Sequence, residues 1–247
     1  MSAGTARPRG SERALLELCV DDVVDFDAAL RLGADRIEVC ARLDDDGLTP
    51  EAPLLAHALA ARSGAAPRVV AMLRPRPGTF VVTADDREGI DRDLAMLVEA
   101  GAGDIVCGFL DAALSPHDAV HARIRTSAAQ ANLVFHRAFD VIPDGQRDAA
   151  LERLVDCGFA RLLTAGGPSS LSFEERRMRL AELVERAAGR ISIVACGSLR
   201  PPMIEALRAV GIVEFHASAR PRGNDARFTG RLDETLAAAL RAATARP

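Results

Sequence analysis

The strongest constraint on this chain is one alternation, repeated eight times. Short apolar runs stand at "ALLELCV" (14–20), "DRIEVC" (35–40), "RVVAMLR" (68–74) and "DIVCGFL" (104–110). They continue at "NLVFHRAF" (132–139), "ARLLTAG" (160–166), "ISIVACG" (191–197) and "VEFHASA" (213–219). Between them lie longer segments such as "DDVVDFDAALRLGA" and "RDAALERLVDCGF", with apolar residues spaced three and four apart, as an amphipathic helix requires. Several end in Gly-Ala or Gly-Phe ("LGADR", "AGAGD", "CGFAR"), where glycine caps a helix and feeds the next strand. Repeated strand–helix units form a parallel sheet, and eight of them predict a closed (β/α)8 TIM barrel of the α/β class in a single domain. An open doubly wound sheet would show a glycine-rich phosphate turn after its first strand, and "CVDDVVD" is not one. Residues 1–13 read as a flexible tail and 14–247 as the barrel. "RLDETLAAALRAATA" closes it after an irregular "RPRGNDARFTG" loop.

Several function classes drop out on composition. All 31 basic residues are arginine, so Schiff-base and pyridoxal-phosphate chemistry, which need a lysine amine, are excluded. A net charge of −4 without a basic stripe argues against nucleic acid. No stretch approaches the roughly 20 apolar residues of a membrane span, and the start lacks an apolar leader, so a cytoplasmic location is expected. The 5 cysteines are odd in number, scattered and without a CxxC pair, which speaks against a disulfide framework or a closed zinc site.

Side chains alternate along a strand, and a barrel strand is covered outside by helices. The all-apolar set should therefore face outward. In strand one that set is Leu16, Leu18 and Val20, which sends Glu17 and Cys19 inward. Strand two sends Glu38 and Cys40 inward, strand three Arg74, strand five His136, and strand eight His216 and Ser218. Isolated buried charges are too costly to persist, so these groups must pair or stay in a wet cleft at the C-terminal mouth, where barrel active sites sit. Each also has a plain structural reading as a buried ion pair. His57, His117 and His121 read as solvated surface residues, and Cys107 and Cys157 as small core residues.

The phrases "GADRIEVC", "GLTP" (47–50), "RPRPGTF" (74–80), "FHRAFD" (135–140), "RLLTAGG" (161–167) and "EFHASAR" (214–220) resemble the CutC family in content and order. That resemblance implies a TIM barrel, a cytoplasmic homo-oligomer (dimer or tetramer), and copper homeostasis through Cu(I) bound by the cysteines of "LELC" and "IEVC", here Cys19 and Cys40. Three stretches depart from the family pattern. Pro77 and Thr79 replace a glycine and an aspartate, "DAALSPHD" replaces an Asp-Gly turn, and Asp46 stands where glycine is common.

If the registers of the first two strands align, Glu17 lies beside Glu38 and Cys19 beside Cys40, with Arg74, His136 or His216 neutralising the glutamates. Two adjacent thiolates suit a soft, low-coordinate ion such as Cu(I). A second reading makes Glu17, Glu38, Arg74, His136 and His216 an acid–base layer of an isomerase, epimerase or lyase. There "TAGG", "CGS" and "SAR" would grip a small anionic metabolite through Gly166, Gly197, Ser218 and Arg220. A divalent metal on Glu17, Glu38, His136 and His216 is a third variant.

Overall fold

The computed structural model describes residues 13–61, 67–221 and 230–245. All but the last residue of the expected tail, and most of the irregular loop, lie outside them. Eight strands form one closed barrel in sequence order: β1 (Leu15–Val20), β2 (Arg36–Val39), β3 (Arg68–Met72), β4 (Asp104–Cys107), β5 (Asn132–Phe135), β6 (Phe159–Thr164), β7 (Ser192–Ala195) and β8 (Glu214–Ala217). Each pairs in parallel with the next, and β8 closes on β1. The helices are α1 (Val23–Arg31), α2 (Ala52–Ala60), α3 (Asp86–Glu99), α4 (Asp118–Ser127), α5 (Arg147–Asp156), α6 (Phe173–Ala187), α7 (Pro201–Arg208) and α8 (Glu234–Ala245). This is a (β/α)8 TIM barrel.

Local sequence sets the helix ends. Asp22 caps α1 by accepting from the Asp25 amide at 2.8 Å, and Ser172 with Glu175 forms a capping box on α6. Gly33 has φ +72°, and the Ala34 amide donates back to the Ala29 carbonyl at 3.2 Å. That left-handed turn ends α1 and aims the chain into β2.

Two apolar layers result. Leu16, Leu18, Val20, Ile37, Val39 and Phe215 belong to the large outer layer beneath the helices. Val70, Met72, Val106, Val134, Leu163 and Val194 fill the barrel itself, joined by Cys19, Cys40 and Cys196. The two-residue alternation sorted these faces correctly, and Cys107 is buried in the outer layer.

His121 corrects one expectation. It is 1% exposed, not at the surface. Its Nε2 accepts from the Phe109 amide at 3.2 Å, and its ring packs edge-on against Phe135 and Phe159. Burial pushes its pKa down to about 3, so it is a neutral acceptor between α4 and the barrel. His57 and His117 are half-buried.

Candidate functional site

The lower barrel is filled by ions. Arg36 Nε donates to Glu17 Oε2 at 2.9 Å and Arg36 Nη2 to Glu214 Oε2 at 2.5 Å. Arg161 reaches Asp104 Oδ1 at 2.7 Å and Glu17 Oε2 at 3.4 Å. Five buried side chains thus compensate one another. Burial alone would raise Glu17. The hydrogen bond from His216, with the charges of Arg36 and Arg161, outweighs it and holds this carboxyl well below the usual range. None of the arginines in this layer was expected, although parity reveals them: the alternation that turns Glu38 inward also turns Arg36 inward.

The expected register is corrected here. Glu17 stands opposite Arg36 and Cys19 opposite Glu38, so neither Glu17–Glu38 nor Cys19–Cys40 is a ladder pair. Closing a sheet into a barrel staggers neighbouring strands, which slides like residues past one another. The thiols meet nonetheless. Cys40 follows the end of β2, one step above Glu38, and its Sγ lies 3.7 Å from that of Cys19. The Cys19 thiol donates to Glu38 Oε1 at 3.0 Å, and the Cys40 thiol to the Val20 carbonyl at 3.5 Å. Cys19, Glu38 and Cys40 present ligand atoms within 4.8 Å of one another, as do Glu17, Glu38 and His216.

His216 joins the ion layer to the thiols. Its Nδ1 lies 2.7 Å from Glu17 Oε1 and 4.0 Å from Glu38 Oε2. Burial disfavours its charge, but the Glu38 charge and hydrogen bonding to Cys19 and Glu17 prevail, so its pKa stands well above the ordinary value. Glu38 is raised by burial and by neighbouring Glu17, and its Oε2 is buried without a hydrogen-bond partner. Both thiols are also raised. For Cys19 the causes are the hydrogen bond with Cys40, burial and the Glu38 charge. At Cys40 the hydrogen bond with Cys19 acts downward, but burial and the Glu38 and Asp21 charges exceed it.

Arg74 and His136 face inward as expected, but neither neutralises the glutamates. The Arg74 guanidinium donates to the carbonyls of Asp45 (2.8 Å), Gly47 (3.0 Å) and Gly78 (3.0 Å) and lies over the Phe80 ring at 5.0 Å. Burial pulls its pKa below the ordinary arginine value. His136 Nδ1 accepts from the Ala138 amide at 3.1 Å. Burial and nearby Arg74 lower its pKa to about 3, so it is neutral. Asp46, in place of the common glycine, holds φ +63°, a left-handed geometry that aspartate tolerates.

The anion loops divide. In the β6 loop the amides of Ala165 (3.1 Å) and Gly167 (3.2 Å) donate to Asp140, and that of Gly166 to Thr164 Oγ1 at 3.0 Å. An internal carboxylate therefore occupies the place expected for a phosphate. Arg220 is bound by Asp21 at 2.5 Å and by Asp25. Gly197, Ser218 and Arg220 line the cavity at the barrel mouth; Gly166 does not. That cavity holds about 360 Å³, with Cys19, Glu38 and His216 at its base and Arg74, His136 and Arg137 on its wall.

Comparison with known proteins identifies the family and agrees with the fold. The CutC family model matches residues 14–221. A family protein CutC from Agrobacterium fabrum is 41% identical over 205 residues, covering 83% of this chain and 78% of the relative. One from Caulobacter vibrioides is 39% identical over 209 residues, covering 84% and 82%. The crystal structure titled as the putative copper homeostasis protein CutC from Streptococcus agalactiae is 26% identical, with a TM-score of 0.78 over 83% of this chain and 98% of that one. The chain belongs to the CutC family.

Proposed function

We propose that this protein takes part in copper homeostasis by binding Cu(I) between Cys19 and Cys40 at the base of the barrel mouth. The carrying observation is the 3.7 Å separation of two reduced, buried sulfurs. A thiolate–metal bond is about 2.3 Å for zinc, so sulfurs sharing an ion of similar size stand at most about 4.6 Å apart. Thiolates favour Cu(I) over hard cations, and the orphaned Glu38 Oε2 beside them is an available further donor. Both thiols hold their protons in the free protein, so binding must release them. Glu38 already accepts the Cys19 hydrogen bond and is placed to take that proton.

X-ray absorption at the copper edge tests this. Two sulfur neighbours are expected in the wild type and one in each of Cys19→Ser and Cys40→Ser; a sulfur-free shell would overturn it. The proposal includes a cytoplasmic homo-oligomer. All 5 cysteines are free thiols, in keeping with a reducing compartment, and no helix among the described residues is long and apolar enough to cross a membrane.

Glu38, which lines a cavity of about 360 Å³ and whose buried Oε2 has no hydrogen-bond partner, favours a second reading. There Glu38 and His216 move protons on a small anionic substrate, in an isomerase, epimerase or lyase reaction. Incubation in D2O with small oxo-acids and sugar phosphates checks it. Deuterium should enter at carbon in the wild type but not in Glu38→Gln, and exchange unaffected by that substitution would end the reading.

A further inference from the structure

The arginines around the cavity are not equivalent. Arg220 is neutralised by Asp21 and Asp25. Arg74 is buried, yet its hydrogen bonds go to neutral carbonyls. A guanidinium has five N–H donors. Three are used, and among the described residues the Nε–H and one Nη2–H find no acceptor. The Phe80 ring lies against the guanidinium, its centroid 5.0 Å from Cζ. Arg137 lines the same cavity, with Nε on Asp140 at 3.1 Å and both Nη groups without a protein acceptor among the described residues. Its side chain is 40% exposed. Two carboxylates lie near Arg74 without bonding it: Asp46 is exposed and solvated, and Asp45 is half-buried but paired with Arg42.

At the base of the cavity the need is opposite. Glu38 is 2% exposed and its Oε2 lacks a donor. An unmade bond at a buried carboxylate is costly, so the site calls for a ligand that brings a hydroxyl there. The cavity, at about 360 Å³, lies at the small end of metabolite sites.

We infer that the barrel mouth binds a small hydroxylated organic anion, its carboxylate or phosphate held by Arg74 and Arg137 and a hydroxyl held by Glu38. This names the ligand class of the proton-transfer reading without requiring turnover, and it does not depend on copper. It also moves the anion from the β6 loop, whose amides serve Asp140 and Thr164, and from Arg220, whose charge Asp21 and Asp25 neutralise, to the β3 and β5 loops. Forked guanidinium groups suit both carboxylate and phosphate oxygens.

The test is calorimetric titration of reduced, copper-free protein with glycerate, glycerol 3-phosphate and uncharged glycerol. At least one anion should bind saturably and glycerol should not. Arg137→Gln and Arg74→Gln should each weaken the anion about tenfold or more, the worth of a charged hydrogen bond. The surface variant Arg177→Gln, whose residue pairs only with Glu174 among the described residues, should not. Arg74 also ties down three loop carbonyls, so if Arg74→Gln does not fold, Arg137→Gln decides alone. Absence of binding by both anions, or wild-type affinity in Arg137→Gln, would overturn the inference. Binding without deuterium exchange would sustain it and end only the proton-transfer reading.

Discussion

The sulfurs of Cys19 and Cys40 lie 3.7 Å apart although the two residues are not partners in the β1–β2 ladder. The stagger of the closed barrel sets Cys19 level with Glu38, and Cys40 leans over it from the strand end. One carboxylate oxygen is thereby engaged by a thiol and the other is buried without a hydrogen-bond partner.

Copper affinity should rise steeply with pH. Both thiols are held above the ordinary cysteine value of 9.0, so the free protein carries both protons throughout the neutral range. Affinity gains up to about 100-fold per pH unit if both protons leave the protein, and about tenfold if Glu38 keeps the one from Cys19. Competition with a chelator of known proton linkage at pH 6, 7 and 8 checks this, and a flat profile contradicts it.

Removing one partner of the ion layer should cost far more than a surface change. Arg36→Met strands Glu17 and Glu214 in the lower barrel, and breaking such a pair costs about 3–5 kcal/mol. Urea unfolding at neutral pH measures it. A loss below about 1 kcal/mol would mean that water or Arg161 compensates the carboxylates.

Gly108 makes room for His136. A Cβ there would stand 2.1 Å from His136 Nδ1, the atom that accepts from the Ala138 amide. Gly108→Ala should displace the ring and cost about 1–3 kcal/mol, the usual range for overpacking. A wild-type melting temperature in this variant would show that the imidazole has another seat.

Acid sensitivity should trace in part to His121. Its pKa is 6.5 in the unfolded chain and about 3 when folded. Between those values the unfolded state binds the extra proton, so stability falls as pH falls, by about 1.4 kcal/mol per unit. His136 is depressed in the same direction. Gln at position 121 can still accept from the Phe109 amide. From pH 6 to 5, above the ordinary glutamate value of 4.5, His121→Gln should lose about 1.4 kcal/mol less than the wild type. Parallel stability curves for the two proteins would refute a neutral His121.

Much of this was legible in the chain because strand parity is a local property. The outward set Leu16, Leu18 and Val20 and the inward set Glu17 and Cys19 follow from spacing alone. Arg36 and Arg161 share the inward parity of Glu38 and Leu163 and are legible by the same rule. Register was not legible, since it depends on the stagger of the whole barrel. Nor was Asp140 filling the "TAGG" amides, because a 3-10 turn after β5 carries it across to the β6 loop. His121 misled for a related reason: one polar residue on a helix does not reveal that a backbone amide awaits it.

Anaerobic Cu(I) titration against a competing chelator, comparing wild type with Cys19→Ser, Cys40→Ser and Cys196→Ser, tests the central claim most directly. The account predicts one tightly bound Cu(I) per chain in the wild type and in Cys196→Ser. It predicts loss of that binding, by about 100-fold or more in affinity, in each of the other two variants. Unchanged stoichiometry and affinity in Cys19→Ser and Cys40→Ser would contradict it, leaving the two thiols as apolar filling above the ion layer.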